Sequence, residues 1–375
     1  MIEIIFWSSI SILIYSFIGY PVILKCIALF RRPIRCAEKN FAPSVSIILS
    51  VYNEEGIIRE KIENFLSIDY PEELLGMVIV SDNCTDRSEE IIESFNCAKI
   101  KLLVQDNRGG KTLALNRGVA VAKGEIIVFT DANSMFDKDA IKKLMFHFAD
   151  PAIGLVSGRS IYLNSLNQNE ELGGAYRKYE EMIKKDESKV VSIVGADGAI
   201  YALRKELYEP LKPEYINDFI HTIHTVLKGY RAVSEPQAIC REVIDETHSG
   251  ELRRQTRIMA QSWLIFCTQI GKLLRNTKLV YAWQLISHKF FRWLTIPLMI
   301  VLFVTTASML EQGKFYQVMF VGQVLFLLLV LFGSRIRSGL LRLPYMFTLL
   351  HVASLLGLFK YLCGSVYTTW NPRND

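Results

Sequence analysis

The chain has 375 residues, and its 43 lysines and arginines nearly balance its 38 aspartates and glutamates, leaving a formal net charge of +5. This small excess argues against binding to nucleic acid or to an acidic partner through bulk charge. Only 22% of the residues are charged and the mean hydropathy is positive, at +0.22, which indicates segments embedded in a membrane. The seven cysteines are odd in number and include no CxxC pair, so we expect reduced thiols in a cytosol-facing protein and neither a disulfide framework nor a zinc site.

The N-terminal segment has the composition of a membrane anchor. Residues 4–24 carry no charge and are long enough to span a bilayer, and the lack of a basic n-region and of a small-residue cleavage site argues against a removed signal peptide. Four basic residues follow at once: Lys25, Arg31, Arg32 and Arg35. By the positive-inside rule they place the downstream residues in the cytoplasm. We therefore assign residues 1–35 to a transmembrane anchor, with a buried core helix as the alternative.

From residue 43 onwards, apolar runs alternate with segments of helical spacing. Strands are predicted over residues 44–51, 77–80, 101–104 and 126–129, and helices over residues 56–67, 87–96 and 111–122. This alternation predicts an α/β protein with a Rossmann-like, mostly parallel sheet flanked by helices. Three of the four strands end in a cluster that contains Asp, Asn or Glu. Because ligands bind beyond the carboxyl ends of the strands in such sheets, we expect these clusters to form a site at one edge.

The clearest of these clusters follows the fourth strand. The apolar run 126–129 leads to Asp131 and Asn133, so an acid and an amide lie two residues apart at the end of a strand expected to be buried on both faces. Their oxygen donors suit a hard divalent cation whose other ligands are phosphate oxygens. An Asx turn that ends the strand is the alternative, since Asp and Asn favour turns.

Two common nucleotide-binding motifs are absent. Gly109-Gly110-Lys111-Thr112 resembles the end of a P-loop, but the position five residues before Gly110 is Gln105 instead of glycine. No GxGxxG sequence follows the first predicted strand, so a dinucleotide fingerprint is missing as well. Lys111 opens a predicted helix, where it either stays solvated or contacts a phosphate.

Five segments together resemble one protein family. They are residues 45–55, 78–86, 110–118, 124–133 and 195–204, in that order along the chain. They resemble the family 2 glycosyltransferases with a GT-A fold, of the membrane-anchored type that includes cellulose and hyaluronan synthases, and the resemblance extends over residues 43–263. It implies that a sugar moves with inversion from a nucleotide-sugar donor, usually a UDP-sugar, with Mg²⁺ or Mn²⁺ as the cation.

The resemblance also implies roles for individual residues, by motif position. Asn53 and Glu55 lie near the nucleotide, and Asp82 matches the acid that contacts the base. Asp131 and Asn133 occupy the position of the family's DxD motif. Asn in place of the second acid removes one negative charge, so cation binding should be weaker than in family members with two acids. The segment that contains Asp197 lies on the acceptor side.

Residues 216–219 match the acidic motif that supplies the family's catalytic base, with Asp218 in the base position. The chemistry needs one carboxylate that takes the proton of an acceptor hydroxyl as this hydroxyl attacks the anomeric carbon. Without the resemblance, Asp218 would be assigned as a helix N-cap. His221 and His224 lie one helical turn apart, but no cysteine or third histidine lies nearby to complete a zinc set, so we expect packing or surface roles for both.

Residues 251–258 are rich in arginine. Arg253, Arg254 and Arg257 are candidates to contact the donor's pyrophosphate, because this segment resembles the one that processive family members elaborate as QxxRW. Here residues 255–258 read Gln-Thr-Arg-Ile, which lacks the aromatic residue and has a shorter spacing, so the sequence does not favour processive polymerisation. A basic amphipathic helix on the membrane surface is the alternative.

The C-terminal third returns to the membrane. Residues 251–292 combine tryptophans, basic residues and apolar residues, as interfacial helices do, and residues 293–375 form the predicted transmembrane region. Its apolar stretches are residues 293–310, 315–334 and 343–359, of which the last is marginal in length. Basic residues mark a cytoplasmic loop between the last two: Arg335, Arg337 and Arg342.

These patterns predict a multi-pass protein of the cell membrane whose GT-A domain, residues 43–250, faces the cytoplasm. A lipid bilayer surrounds the apolar segments, and the expected acceptor is a saccharide or a lipid-linked molecule in polysaccharide biosynthesis. Two alternatives remain open. One is a processive polysaccharide synthase that also translocates its polymer, and the other is a non-catalytic membrane partner of an exopolysaccharide assembly.

Overall fold

The computed structural model describes residues 1–31, 41–164, 174–244, 248–335 and 339–365. The chain divides into two compact units. Among the described residues, the sheet unit contains 24–31, 41–164, 174–244 and 264–282, and the helical unit contains 1–23, 248–263, 283–335 and 339–365. Residues 264–282, predicted from the sequence to be interfacial helices, therefore belong to the sheet unit.

Helices and strands account for most of the described residues. The strands are β1 Val45–Val51, β2 Leu75–Ser81, β3 Ile100–Val104, β4 Ile126–Thr130, β5 Ser134–Phe136, β6 Ile153–Asn164, β7 Ile200–Arg204 and β8 Arg231–Ile244. The helices are α1 Ile2–Ile14, α2 Tyr20–Leu29, α3 Ile58–Leu66, α4 Ser88–Ser94, α5 Lys111–Val121, α6 Ala140–Met145, α7 Gly174–Val190, α8 Asn217–Leu227, α9 His248–Arg275, α10 Leu279–Leu285, α11 Phe291–Trp293, α12 Thr295–Ser308, α13 Lys314–Phe332 and α14 Gly339–Leu362.

The strands form one mixed sheet with the order β3-β2-β1-β4-β7-β6-β8-β5. β1 pairs in parallel with β2 and β4, and β2 pairs in parallel with β3, so this half is the predicted Rossmann-like sheet. β7 runs antiparallel to β4 and β6, and β5 runs antiparallel to β8. The four strands and three helices predicted for the first half are present, and their ends lie within two residues of the predicted ones. The predicted fold class is confirmed.

Helices cover both faces of the sheet, which explains why its central strands are mostly apolar. Ile47 and Ile48 point to opposite faces because they are neighbours on β1, yet both are fully buried. Ile47 belongs to a core cluster with residues of α3 and α6, and Ile48 belongs to a second cluster with residues of α5. Gly118 allows α5 to pack closely, since a Cβ at this position would lie 2.7 Å from Ile48 Cγ2.

Three helical segments among the described residues are long and apolar enough to cross a membrane: Ile2–Leu29, Lys314–Phe332 and Leu343–Leu362. The first matches the predicted anchor and stays helical through a π-helical turn at Tyr15–Gly19. The last contains the stretch predicted to be marginal. It belongs to the 24-residue helix α14, which continues through Pro344, and its length is therefore sufficient.

The segment predicted to span the membrane, residues 293–310, does not form one straight helix of membrane-spanning length. Its helix, Thr295–Ser308, has 14 residues and is bent by 58° from the preceding segment Leu279–Trp293. A 14-residue helix is too short for the hydrocarbon core, so the two segments cross a membrane only together, as a broken span or a re-entrant loop. The chain thus has three candidate spans in the described residues, or four if the bent pair is one.

The basic residues that predict the orientation are described only in part. Arg31 follows α2, whereas Arg32, Arg35 and Arg337 lie outside the described residues, as does the C-terminal tail from residue 366. The cytoplasmic orientation and the multi-pass topology therefore stay predictions.

Candidate active site

Hydrogen bonds that involve side chains connect the loop after β1 to the loop after β2. Asn53, whose φ is 53°, accepts a hydrogen bond from the N–H of Thr85 at 2.8 Å and donates its amide N–H to the Thr85 hydroxyl at 3.1 Å. The N–H of Glu55 donates to Asp86 at 2.9 Å, and the Glu55 carboxylate accepts the N–H of Arg87 at 3.1 Å. Asn53 and Glu55 therefore shape the carboxyl edge of the sheet. Their contact with a nucleotide stays a prediction.

Asp82 directly follows β2, and the residue is only 3% exposed. One carboxylate oxygen accepts hydrogen bonds from the Gln105 side chain at 2.8 Å and the N–H of Gly109 at 2.7 Å, and the other accepts the N–H of Gly110 at 2.9 Å. Gly110 has φ of 85°, a conformation that favours glycine. Asp82 therefore orders the loop that leads to Lys111. The contact of Asp82 with a nucleobase stays a prediction.

Lys111, the first residue of α5, forms an ion pair with Asp131 in the loop after β4. Its Nζ lies 2.5 Å from Asp131 Oδ1, and the two side chains are 30% and 39% exposed. The ammonium is therefore held at the carboxyl edge of the sheet and is not simply solvated. Asn133 lies two residues further along the same loop, directly before β5, and is exposed.

Asp131 and Asn133 fit a cation that binds together with a diphosphate. A carboxylate and an amide oxygen are hard donors of the kind that Mg²⁺ and Mn²⁺ prefer, and both side chains are open to solvent. Among the described residues, no group of three or more His, Cys, Asp and Glu side chains could hold a metal by itself, and the six described cysteines are free thiols. The chain thus offers a partial ligand set, which substrate oxygens and water would complete.

Asp218 lies in the first turn of α8, with its carboxylate beside Gly198. Its Oδ1 accepts the N–H of Phe219 at 2.8 Å, and a Cβ on Gly198 would come within 3.1 Å of its Oδ2. The N-cap of α8 is Ile216, so the alternative assignment of Asp218 as an N-cap is wrong. Burial raises the pKa of Asp218 to about 6, while the positive charge of Lys111 acts in the opposite direction. The carboxylate therefore lies within electrostatic reach of Lys111.

Asp197 connects the loop before β7 to the middle of β6. Its Oδ2 accepts hydrogen bonds from the N–H and the hydroxyl of Ser160 at 2.8 and 2.7 Å, and its Oδ1 accepts the N–H of Ala199 at 3.2 Å. Its negative charge also contributes to the raised pKa of Asp218. The hydrogen bonds of Asp197 thus order the segment next to Asp218. The role of Asp197 on the acceptor side stays a prediction.

Aromatic and polar side chains of β4 and β7 pack against α8. Asn217 donates to the Tyr201 hydroxyl at 2.6 Å, this hydroxyl lies 2.9 Å from His221 Nδ1, and the Tyr201 ring stacks on Phe129. Burial lowers the pKa of His221 to about 3, so the imidazole is neutral and acts in packing, as the sequence predicts. His224 approaches a glutamate at 3.5 Å, and the two histidines do not share a metal site among the described residues.

The three arginines predicted to contact pyrophosphate lie on α9, in the part that belongs to the helical unit. Arg253 is exposed, and Arg254 and Arg257 are half-buried. Their sequence spacing places them within about one turn of the same helix, so they form one basic segment. Their contact with a donor stays a prediction.

Sequence reasoning missed one charged residue near the site, Lys61 on α3. Its side chain is 1% exposed and reaches both ends of the loop that carries Asp131. The signal in the sequence is weak: Lys61 lies among the buried residues Ile58, Ile62 and Phe65 of an amphipathic helix. A lysine on the apolar face predicted for a helix means either that its charge is buried or that the apolar face was assigned wrongly from the sequence. Only the packing in the structure distinguishes the two.

A mixed sheet with acids and a lysine from separate loops at its carboxyl edge is the architecture of a GT-A glycosyltransferase. The mannosyltransferase PcManGT from Pyrobaculum calidifontis, solved in complex with GDP-Man and Mn²⁺, has the same fold. Its TM-score is 0.73 at 21% identity, over 96% of this chain and 99% of that one.

The sequence comparisons agree with this architecture. Residues 46–209 match the sequence model described as Glycosyl transferase family 2, so this segment carries a family 2 glycosyltransferase domain. The chain is 27% identical over 227 residues to the probable glycosyltransferase YdaM of Bacillus subtilis, covering 57% of this chain and 54% of the relative. It is 26% identical over 231 residues to the poly-β-1,6-N-acetyl-D-glucosamine synthase of Staphylococcus epidermidis, covering 59% and 55%. The chain thus spans about half the length of these curated relatives, and the resemblance seen in the five segments is confirmed.

Proposed function

We propose that the protein is an inverting, cation-dependent glycosyltransferase that moves a sugar from a nucleotide-sugar donor to an acceptor hydroxyl at a membrane. UDP-sugars are the first donors to test, and GDP-mannose is the natural comparison because the similar solved structure holds it. The proposed acceptor is a saccharide or a lipid-linked molecule in polysaccharide biosynthesis. One relative, named as a synthase of poly-β-1,6-N-acetyl-D-glucosamine, supports this class of product.

The observation that carries the proposal is the convergence of Lys111, Asp131 and Asp218. Lys111 pairs with Asp131 at 2.5 Å, and its charge acts on the pKa of Asp218. The three residues come from α5, the loop after β4 and α8, which are far apart in sequence. Transfer from a nucleotide sugar requires charge neutralisation for a diphosphate next to a carboxylate that accepts a proton, and this edge of the sheet offers both.

In the proposed reaction, the acceptor oxygen bonds to the anomeric carbon while Asp218 takes the hydroxyl proton. The bond from the anomeric carbon to the diphosphate oxygen breaks, and the nucleoside diphosphate leaves with the electron pair, so the anomeric configuration inverts. Because the pKa of Asp218 is about 6, roughly nine-tenths of the carboxyl is ionised at pH 7 and able to accept this proton.

The remaining residues would bind and orient the donor. We assign Asp131 and Asn133 to the cation, which when bound supplies Lewis-acid stabilisation of the departing diphosphate. Lys111 would exchange Asp131 for a phosphate oxygen. The other proposed donor contacts are Asn53, Glu55 and Asp82 toward the nucleotide and Arg253, Arg254 and Arg257 toward the pyrophosphate, with Asp197 on the acceptor side.

The candidate spans support a membrane location for this activity. We propose a multi-pass protein whose GT-A domain faces the cytoplasm, where nucleotide sugars are made. An acceptor carried by a lipid or emerging from a membrane complex would be available to such an enzyme.

The proposal is tested by a donor screen with the full chain in detergent or in membranes. UDP-glucose, UDP-N-acetylglucosamine, UDP-galactose and GDP-mannose are supplied with Mn²⁺, with Mg²⁺ or with EDTA, and release of the nucleoside diphosphate is measured. We expect cation-dependent release from at least one donor and its loss in Asp218→Asn. Release from no donor in the presence of membrane extract would support a non-catalytic partner of an assembly and contradict the proposal.

A processive synthase is the second candidate, because a relative at 26% identity is named as a polysaccharide synthase. The segment that reads QxxRW in processive members departs from that pattern here, which argues for transfer of single sugars. The length of the product made by purified membranes from a radiolabelled donor separates the two. A single added sugar supports the first proposal, and a polymer supports the second.

A further inference from the structure

Lys61 carries an ammonium group that is enclosed by protein. The side chain is 1% exposed, and its Nζ donates hydrogen bonds to the hydroxyl of Thr130 at 3.0 Å and to the backbone carbonyl of Ser134. The same nitrogen lies 4.3 Å from the centre of the Phe136 ring. An ammonium removed from water is strongly destabilised unless its protons are hydrogen-bonded, so these contacts account for its presence in the core.

These contacts bracket the loop assigned to the cation. Thr130 is the last residue of β4, and Ser134 is the first residue of β5. Only Asp131, Ala132 and Asn133 lie between them. Because one nitrogen is bonded to both ends of this loop, Lys61 limits the separation of the two strand ends and the directions in which the intervening side chains can point.

The side chain of Ser134 is also held in place, by a hydrogen bond to β8. The Ser134 hydroxyl donates a hydrogen bond to the carboxylate of Glu242, which is 7% exposed and lies opposite Ser134 in the register of β5 and β8. Burial lowers the pKa of Lys61 to about 8, while the negative charges of Asp131 and Glu242 act against the lowering. Burial therefore outweighs these acids, and the hydrogen bonds from Lys61 Nζ compensate part of the cost of enclosing the ammonium.

We propose that Lys61 is a positioning residue, which holds the loop from Asp131 to Asn133 in the shape that receives a cation and a nucleoside diphosphate. It acts through Thr130 and Ser134 and does not touch the substrate. This inference rests on the proposed function, since it assigns the loop to the donor site.

A purely structural role would give a different result. A buried lysine that only stabilised the fold would lower the unfolding temperature when removed, with no selective effect on diphosphate binding. A positioning lysine changes the affinity for the cation and diphosphate in protein that is still folded, and it changes the donor KM more than kcat once the cation is saturating. The two roles therefore differ in a binding measurement.

The test compares Lys61→Met with Arg59→Met in the full chain. Arg59 lies on the same helix, is exposed and places its guanidinium over the Phe95 ring, so its variant controls for loss of a cationic side chain from α3. Binding of UDP and of GDP in the presence of MnCl₂ is measured by titration calorimetry, and thermal unfolding is followed in parallel. We expect Lys61→Met to bind the preferred diphosphate about tenfold or more weakly, a loss of about 1.4 kcal/mol, and Arg59→Met to bind like the wild type.

Two further variants keep the test decisive if Lys61→Met does not fold. Thr130→Val removes one of the two hydrogen bonds between Lys61 and the ends of the loop, with little change of volume. We expect it to weaken diphosphate binding by about two- to fivefold, as for the loss of one hydrogen bond. Lys61→Met combined with Glu242→Gln removes the buried positive and negative charges together. This restores charge balance but not the hydrogen bonds from Lys61 to Thr130 and Ser134. We expect this double variant to fold and still to bind weakly.

The outcomes distinguish this inference from the proposed function. Wild-type affinity in folded Lys61→Met, in the double variant or in Thr130→Val would overturn the positioning role alone. A wild-type protein that binds neither UDP nor GDP with Mn²⁺ would overturn the proposed function, and the inference with it.

Discussion

The ammonium nitrogen of Lys111 lies 2.5 Å from a carboxylate oxygen of Asp131, and this ion pair joins the start of α5 to the loop after β4. In the proposed function a divalent cation needs the same carboxylate, so the ammonium and the cation compete for it. A diphosphate relieves the competition, because its oxygens attract both positive groups. In the proposed function, the ion pair therefore couples cation binding to nucleotide binding.

Removal of this ammonium has opposite effects on the two ligands. In Lys111→Met we expect Mn²⁺ alone to bind about two- to fivefold more tightly, the effect of freeing a partly exposed ion pair, whereas UDP with Mn²⁺ binds more weakly. Free Mn²⁺ is measured by electron paramagnetic resonance and UDP binding by calorimetry. Lys123→Met, at an exposed lysine after α5, is the control. Unchanged affinity for Mn²⁺ alone would show that Asp131 is not a cation ligand.

Asp218→Asn should abolish turnover but keep donor binding. The amide has nearly the same shape but cannot take a proton, so we expect kcat to fall by about 10²–10⁴ while the affinity for UDP with Mn²⁺ stays near that of the wild type. Single-turnover sugar transfer and calorimetry measure the two quantities. Glu214→Gln, in the segment before α8, is the matched control, and substantial activity in Asp218→Asn would rule out this residue as the base.

The raised pKa of Asp218 predicts the pH profile. The base works only when ionised, so kcat/KM should rise about tenfold per pH unit below the pKa of about 6 and level off above it. Because the charge of Lys111 lowers the pKa of Asp218, the midpoint in Lys111→Met should move to higher pH. Initial rates from pH 5 to 8 at constant ionic strength measure both midpoints. A profile that stays flat through pH 6 would contradict the assignment.

Asn133 occupies the place of a second acid, and Asn133→Asp tests its contribution. The added carboxylate supplies a charged oxygen where the amide supplies a neutral one, so the Mn²⁺ concentration that gives half-maximal activity should fall by about three- to tenfold. Asn133→Ala, which removes the oxygen, should raise the same concentration. If both variants need the same Mn²⁺ as the wild type, Asn133 is an ordinary turn residue.

Asp82→Asn tests the hydrogen bonds that order the loop before α5. The amide keeps one acceptor oxygen but places N–H donors against the N–H groups that Asp82 accepts, so we expect a loss of about 1–3 kcal/mol in the free energy of unfolding. A lower midpoint of thermal unfolding measures this loss. Asp106→Asn, at an exposed residue of the same loop, should unfold like the wild type.

Much of the first half of the sheet could be predicted from local patterns. The apolar run at β4 predicts a strand covered on both faces, and the polar residues that follow β2 and β4 predict the edge at which Asp82 and Asp131 lie. The motif around Asp218 predicts its place in this site through the family resemblance. The residue pattern predicts the structure less well where the chain bends, because residues 293–310 are uncharged throughout yet form a short helix at 58° to the segment before it.

The sequence by itself determined the strands β1 to β4, the apolar segments that are candidate spans and the family resemblance, because each depends on residue types that are close together in the chain. The tertiary structure alone decided which charges meet. Lys61 bonds to Thr130 across 69 residues, and Asp82 accepts the N–H of Gly110 across 28. No local pattern encodes such pairs, since they exist only when helices and strands from distant segments pack on the same sheet and exclude water from the groups between them.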